Sequence, residues 1–242
     1  MNKLKVAIIG TGNIGTDLLI KCLRSDKLDV VAFVGRRSES NGIYEAKKRN
    51  ILTSTDGINF FINNKNVDLV FDCTDAFSAV NNWKIFNHNN IRVIDMTPAK
   101  IGDLCIPIIN GNLLKNSNNI NMITCGGQAS IPILNIISQN CKELEYIEIV
   151  SQIASKSAGL ATRINIDEYI HTTEDAIYKF TNCKQCKVII NLNPAEPCVD
   201  MQTTMFIKCK NINFEKLQFS LNERINMVKQ YVPHYELIMM PI

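Results

Sequence analysis

The sequence predicts an α/β protein in two parts: a doubly wound parallel sheet over residues 1–124 and, over residues 125–242, an α+β domain on a mainly antiparallel sheet. Three features carry that expectation. Short apolar runs alternate with helix-spaced segments through the first half, the pattern of a parallel sheet covered on both faces. A glycine-rich turn joins the first run to the first helical segment. In the second half the runs lengthen and the regular alternation stops, which favours antiparallel pairing.

Element by element, Lys5-Val6-Ala7-Ile8-Ile9 is a short apolar run that reads as a buried strand. Residues 13–24 place Ile14, Leu18, Leu19 and Cys22 on one helical face. Further buried strands are expected over 30–34, 67–72, 91–95 and 120–123, with a helix over 77–88. Beyond them the pattern gives a long strand over 143–154, a helix over 165–180 and strands over 187–192 and 203–210. An amphipathic helix over 214–232 and a terminal strand over 235–240 complete the chain. Ligands of a doubly wound sheet bind beyond the carboxyl ends of its strands. Asp72-Cys73-Thr74 and Thr97-Pro98, which follow two such ends, are therefore expected to border a cleft.

The turn itself reads Gly10-Thr11-Gly12-Asn13-Ile14-Gly15, and strand, glycine turn and helix together form the context of a dinucleotide site. Gly10 permits the tight turn, Gly12 lets the backbone approach a pyrophosphate, and Gly15 lets helix and strand pack closely. The N–H groups and partial positive charge of the helix start would receive the phosphates. The first sheet thus reads as Rossmann-type. About twenty residues past such a loop an acidic residue usually holds the ribose hydroxyls. Here the chain reads Gly35-Arg36-Arg37-Ser38. NAD is the expected cofactor, with NADP admitted because Arg36 and Arg37 could pair with its extra phosphate. The same arginines could equally be solvated loop charges.

Bulk properties exclude several classes. At 242 residues the chain can bury the core of one or two domains. A net charge of +3, with scattered basic residues, gives no footprint for a nucleic-acid partner. No apolar stretch approaches transmembrane length, because Asp, Lys and Asn interrupt each candidate. The first strand begins at once, leaving no room for a secretory signal, so a cytoplasmic protein is expected. The nine cysteines then read as reduced thiols. Cys22, Cys141 and Cys209 lie in periodic apolar segments and are expected in the core. Cys183 and Cys186 form a lone C-x-x-C without a second ligand pair, so surface-loop thiols and no metal are expected. His88, His171 and His234 lie far from every motif and read as surface or helix residues.

One cysteine stands apart. Cys125 follows the last strand of the first half and precedes Gly126-Gly127. Ser130-Ile131-Pro132 reads as a helix start, with serine as cap and proline in the first turn. Cys125 would then lie near a helix N-terminus, which favours thiolate over thiol. The two glycines would expose the sulfur and offer N–H groups to a developing oxyanion. On local features alone, a nucleophile and a turn cysteine beside packing glycines remain equally open.

The segment Thr124-Cys125-Gly126-Gly127-Gln128-Ala129-Ser130-Ile131-Pro132 resembles the catalytic-cysteine segment of the acylating acetaldehyde dehydrogenases, enzymes that partner 4-hydroxy-2-oxovalerate aldolase in aromatic-compound catabolism. Gly10-Thr11-Gly12-Asn13-Ile14-Gly15-Thr16-Asp17-Leu18 resembles the family's N-terminal loop, and Ile94-Asp95-Met96-Thr97-Pro98-Ala99 its next landmark. Ser155-Lys156-Ser157-Ala158-Gly159, continuing through Thr162-Arg163 and Asn165-Ile166-Asp167-Glu168, resembles its second cofactor-contacting segment. Asn193-Pro194-Ala195-Glu196-Pro197 resembles a further signature. The likeness runs nearly end to end in matching order.

This resemblance implies that the Cys125 thiolate attacks a short aldehyde, that hydride passes to the nicotinamide, and that coenzyme A takes the acyl group from the sulfur. It also implies cofactor contacts from the loop Gly10 to Gly15 and from Ser157-Ala158-Gly159-Leu160-Ala161-Thr162-Arg163-Ile164-Asn165. The implied partners are the aldolase and other subunits, in a homodimer or hetero-oligomer. Three departures accompany it. Gln202-Thr203-Thr204 stands where the family has Arg-Asp-Thr, so Thr203 replaces an acid near the nucleophile and cannot serve as a carboxylate base. Arg36-Arg37 stands where relatives commonly carry an acidic residue. The family continues several dozen residues past a segment like Gln230-Tyr231-Val232-Pro233-His234-Tyr235, so a C-terminally shortened relative without the return segment is expected. The alternative is a non-catalytic paralogue serving as regulatory or scaffold subunit of an aldolase complex. A phosphorylating semialdehyde dehydrogenase shares the domain plan but not these motifs.

Overall fold

The computed structural model describes residues 3–64 and 66–242. Along the first half run β1 (Leu4–Ile9), α1 (Asn13–Leu23), β2 (Leu28–Val34), α2 (Asn41–Lys48), β3 (Thr53–Ser54), α3 (Phe60–Asn63), β4 (Leu69–Asp72), α4 (Ala76–His88), β5 (Arg92–Asp95) and β6 (Asp103–Leu104). There follow α5 (Pro107–Asn110), β7 (Asn119–Asn121), α6 (Cys125–Gln139), β8 (Glu143–Ala154), α7 (Leu160–Ile164), α8 (Ile166–Thr181), β9 (Gln185–Asn193), β10 (Gln202–Lys210) and α9 (Phe214–Lys229). Two compact units result. One comprises Met1–Leu104, Leu114–Met122 and Gly159–Glu168; the other comprises Cys105–Leu113, Ile123–Ala158 and Tyr169–Ile242. The chain passes between them more often than a single cut at 124/125 would have it.

The first unit is a seven-stranded sheet in the order β3-β2-β1-β4-β5-β7-β6, with every pairing parallel. Val6, Ala7, Ile8 and Ile9 are all buried, as both faces of an interior parallel strand must be. One face packs Val6, Ile8 and Phe33 against Leu19 and Cys22 of α1 and Ile43 of α2. The other packs Ala7, Val34, Val70 and Val93 against Phe61 and Phe86, whose rings meet edge-to-face at 5.1 Å. The helices start where the sequence supplies acceptors: Ser40 caps α2 and Asp75 caps α4 through the N–H of Ser78. The strand order reverses between β1 and β4, and the carboxyl ends of these strands flank the switch point where such sheets take ligands.

The second unit holds a three-stranded sheet, β10-β8-β9. β8 pairs antiparallel with β10 and parallel with β9, so the sheet is mixed rather than mainly antiparallel. The cause is the helical connection between β8 and β9, a crossover that returns the chain to the same end of the sheet. Ile133, Ile136 and Ile137 of α6 pack with Leu217, Leu221 and Ile225 of α9 over Met205 and Ile207 of β10.

Three local expectations are corrected. Residues 235–240 form no strand; Tyr235 and Leu237 satisfy their alternation by packing against the helix cluster, and the Tyr235 hydroxyl donates to the Ala129 carbonyl at 2.6 Å. Cys183 is buried and Cys186 lies on β9, so this pair is not a surface loop. Cys22 is buried as expected, but Cys141 and Cys209 are only half-buried.

Candidate active site

In the first unit a cleft of about 480 Å³ opens at the switch point. That volume lies within the range of small-ligand and cofactor sites. Gly10, Thr11 and Gly12 form its floor, and Gly35, Arg36 and Arg37 line it beyond β2. Cys73, Thr74, Asp75 and Phe77 line it beyond β4, and Leu160, Ala161 and Ile164 of α7 complete it.

The glycines are needed for distinct reasons. Gly10 has φ +104°, and a Cβ there would overlap the Cys73 carbonyl. A Cβ at Gly15 would overlap the Gly10 carbonyl. At Gly12, by contrast, a Cβ would meet nothing within 4 Å, so the space beside this residue is open on the cleft. No side chain caps α1, whose first N–H groups therefore remain available to an anion. Open space, an uncapped helix start and a glycine floor fit the pyrophosphate of a dinucleotide. Thr11 is clamped from behind: the Ser40 hydroxyl hydrogen-bonds its Oγ1 at 3.0 Å, and a Cβ at Gly35 or Gly42 would collide with it.

Other expected residues are placed less uniformly. Asn13 and Ile14 are exposed on the first turn of α1 but do not line the cleft, and Gly15 is buried in packing. Asn165 is buried: its Oδ1 accepts the Ala76 N–H at 2.7 Å and its Nδ2 donates to the Ala161 carbonyl at 2.7 Å, pinning the end of α7 to the start of α4. Thr162 is half-buried and Arg163 exposed beside the lining turns of α7. Gly159 caps α7, while Ser157 and Ala158 belong to the second unit. Asp72 and Thr97 do not border the cleft. Asp72 accepts from Thr74 and Asn82, and Thr97 folds back onto Asp95, because each carboxylate satisfies the turn after its own strand.

Arg36 approaches Asp75 at 3.9 Å with its side chain 77% exposed, a surface pair that leaves the guanidinium free to turn. Cys73 and Thr74 line the cleft as expected from their place after a strand end, whereas Asp75 and Phe77 had no sequence signal, since a helix start with one exposed aromatic is unremarkable.

In the second unit Cys125 is the first residue of α6. The helix starts six residues earlier than the Ser130 cap would have placed it, because Thr124 is the cap and accepts the Gly127 N–H at 2.9 Å. Ser130 lies inside the helix and donates to the Gly126 carbonyl at 2.7 Å; Pro132 also lies inside, where its ring removes one helix donor. The Gly127 N–H is therefore spent on the cap and cannot serve an oxyanion. Those of Cys125 and Gly126 lie at the sulfur itself. Ile123 enters the helix at φ +63°, a left-handed conformation costly for a β-branched residue, and is buried.

The α8 helix supports this start with two residues one turn apart. Thr173 donates to the Tyr169 carbonyl at 2.6 Å and meets the Thr124 hydroxyl at 2.7 Å, so the Thr124 proton points to Thr173 and its lone pairs face the cap. The Tyr169 hydroxyl lies 3.9 Å from the Cys125 sulfur. A Cβ at Gly126 would overlap that hydroxyl and come within 2.7 Å of Ser151 Oγ. Cys125 itself is exposed. The protein around the thiol still pushes its pKa up, while the Tyr169 hydroxyl and the N–H groups of Gly126 and Cys125 pull it down.

Tyr169, Ser151 and Thr173 were missed from sequence. A tyrosine and a threonine on the buried face of an amphipathic helix look like core. Ser151, which alternates with Ile147, Ile149 and Ile153 on the buried face of β8, was the one readable signal. Among the described residues no group of His, Cys, Asp or Glu could hold a metal ion. Among the same residues no helix is long and apolar enough to cross a membrane.

Comparisons with known proteins divide along the same lines. Residues 5–116 match a family profile described as semialdehyde dehydrogenase, NAD binding domain, and residues 125–242 one described as prokaryotic acetaldehyde dehydrogenase, dimerisation. The acetaldehyde dehydrogenase of Spirochaeta aurantia is 51% identical over 99% of this chain and 81% of its own length. That of Pectobacterium atrosepticum is 47% identical over 99% and 82%. Among solved structures, aspartate semialdehyde dehydrogenase with NADP from Candida albicans superposes with a TM-score of 0.64 at 13% identity, covering 92% of this chain and 76% of that one. Aspartate semialdehyde dehydrogenase II from Vibrio cholerae gives 0.63 at 16% identity, covering 92% and 78%. At such identities these two share the fold alone.

Proposed function

Because this chain belongs to the acetaldehyde dehydrogenase family, we propose that it oxidises acetaldehyde or another short aldehyde and delivers the acyl group to coenzyme A through a thioester on Cys125. Residues 1–124 hold the dinucleotide in this reading, and residues 125–242 supply the thiol and the subunit contact. The observation that carries it is Cys125 at the first position of a capped helix, exposed, with two backbone N–H groups at its sulfur.

The Cys125 thiolate adds to the aldehyde carbon and leaves its thiol proton to solvent. The oxygen that gains charge is received by N–H groups at the start of α6, where the helix dipole also favours it. When bound, NAD supplies the acceptor for the hydride that leaves this carbon, which becomes the carbonyl of an acyl-thioester. The thiol of coenzyme A then attacks that carbonyl as its thiolate, the bond to Cys125 Sγ breaks, and the cysteine returns as thiolate. Gly10, Thr11 and Gly12 cradle the pyrophosphate, and Leu160, Ala161 and Ile164 cover the cleft. Gly15 serves by packing α1 against the loop, and Asn165 by tying the end of α7 to the start of α4. Arg36 and Arg37 admit the extra phosphate of NADP. A 4-hydroxy-2-oxovalerate aldolase is the proposed source of aldehyde, a homodimer or hetero-oligomer the proposed assembly, and the cytoplasm the proposed location.

Thr203 favours a second reading. It stands on β10 within hydrogen-bond distance of Ser151, so the strand position nearest this site carries a hydroxyl and no carboxylate base. That is the composition of a non-catalytic subunit that keeps fold and partner surface. Reduction of NAD and NADP, dependent on acetaldehyde and coenzyme A, separates the two. Turnover that disappears in Cys125→Ala supports the thioester route. Absence of turnover in the wild type, with aldolase added, would leave the non-catalytic subunit standing.

A further inference from the structure

The geometry points to a hydroxyl relay, Thr203 to Ser151 to Tyr169, that ends at the Cys125 sulfur and favours its thiolate over its thiol, with Tyr169 as the positioning residue that donates to it. This rests on Cys125 being the nucleophile of the reading above.

Each link lies within the second unit. Thr203 and Ser151 face each other as cross-strand partners on β10 and β8, with their hydroxyl oxygens 3.3 Å apart. Ser151 hydrogen-bonds Tyr169, and Tyr169 lies 3.9 Å from the sulfur. Ser151 is fully buried and Tyr169 is 5% exposed, so neither hydroxyl can turn to bulk water for a partner.

The Tyr169 and Ser151 oxygens crowd one spot beside Gly126, where a Cβ would overlap the first and come within 2.7 Å of the second. Either hydroxyl of the Ser151–Thr203 pair can be the donor. When Thr203 donates to Ser151 and Ser151 to Tyr169, the tyrosine proton is left for the sulfur. While Cys125 is a thiol the row can run the other way, with the S–H donating to Tyr169. Loss of the thiol proton to solvent reverses it by rotation of hydroxyls alone, and no proton passes along the row. The relay therefore acts as a switchable dipole. Burial works against it by raising the thiol pKa, and the Tyr169 hydroxyl works for it. The side chains that reach the sulfur this way from α8, β8 and β10 are all hydroxyls, neither carboxylate nor cation.

Two features of the helix start support this contact. Gly126 has no side chain because a Cβ would occupy the place where the Tyr169 and Ser151 oxygens meet. Thr173, one turn after Tyr169, ties the same helix to the Thr124 cap, so cap and donor move together.

The test is the pH dependence of iodoacetamide alkylation at Cys125, followed on its peptide by mass spectrometry because eight other cysteines are present. Tyr169→Phe is expected to move the alkylation midpoint up by at least about one pH unit, a roughly tenfold loss of thiolate at neutral pH. Ser151→Ala and Thr203→Val move it less, in the same direction, and Thr203→Ser leaves it at the wild-type position. An unchanged midpoint in folded Tyr169→Phe overturns the relay. Should that variant fail to fold, Ser151→Ala decides: an upward move supports the relay and an unmoved midpoint overturns it. Alkylation reads thiol acidity without turnover. If Cys125→Ala still oxidised aldehyde, the nucleophile reading would fall on that assay alone, separately from this one.

Discussion

The two candidate regions are built from different materials. The dinucleotide cleft is made mostly of backbone: a glycine floor, an uncapped helix start and loop residues at strand ends. The thiol site is made of side chains from three elements, with hydroxyls of α8, β8 and β10 converging on the first turn of α6. Backbone sites leave a trace in the sequence because only glycine can occupy certain positions. Sites assembled from serine, threonine and tyrosine leave almost none, since the same residues serve as ordinary buried polar groups elsewhere.

Adding one methyl group to a glycine on each side should show the contrast at its largest. Gly10→Ala must abandon φ +104° or push aside the Cys73 carbonyl. It should lose about 2–4 kcal/mol of stability, read as a lower urea midpoint, together with dinucleotide binding. Gly126→Ala meets the buried side-chain oxygens of Tyr169 and Ser151 rather than backbone. Its cost should fall mainly on chemistry: turnover lower by about 100-fold, as expected for a misplaced reacting group, with a smaller fall in the urea midpoint than in Gly10→Ala. Equal loss of stability in both variants would erase the distinction between a backbone-built and a side-chain-built site.

The same contrast explains what could be read in advance. β1, α1 and the glycine loop were legible because burial on both faces forces a continuous apolar run, and tight turns force glycine. The parallel pairing of β8 and β9 was not, because strand length does not encode direction; the helix between them does. Cys125 was legible as a thiol near a helix start, but Thr124, six residues before the expected cap, proved to be the cap. Its neighbour Ile123 holds a conformation that no residue-type preference would suggest. Tyr169 lies 44 positions from Cys125 in sequence, and nothing in its local pattern separates a donor from a core aromatic.

A smaller effect would sharpen the picture of the cleft. Arg36 and Arg37 line it with little structural duty, since the Arg36 side chain is largely exposed and reaches Asp75 only at 3.9 Å. Replacing both with alanine should leave the urea midpoint within about 1 kcal/mol of wild type. The ratio of NADP to NAD activity should fall by about tenfold or more, the worth of a charge-assisted phosphate contact. An unchanged ratio would assign both arginines to solvent.

The smallest effect concerns two carboxylates beneath the cleft that take no part in the proposed chemistry. Asp72 and Asp95 are register partners on β4 and β5, and both are buried. Burial, and then the Asp72 charge, push Asp95 up to about 7, against the opposing hydrogen bonds from Thr97 and Asn121. Burial raises Asp72 as well, despite hydrogen bonds from Thr74 and Asn82, and the nearby Asp75 charge adds to the rise. The sign follows from the direction. Between the unfolded value near 4 and the folded value near 7, the native state keeps a proton that the unfolded chain has lost. Stability should therefore fall as pH rises through that window and level off above it. Asp72→Asn removes the neighbouring charge, so the Asp95 carbonyl band, followed by infrared titration, should shift to lower pH while turnover stays near wild type. A band that titrated at the same pH in wild type and variant would mean that burial alone raises Asp95, and that the two strand ends do not sense each other's charge.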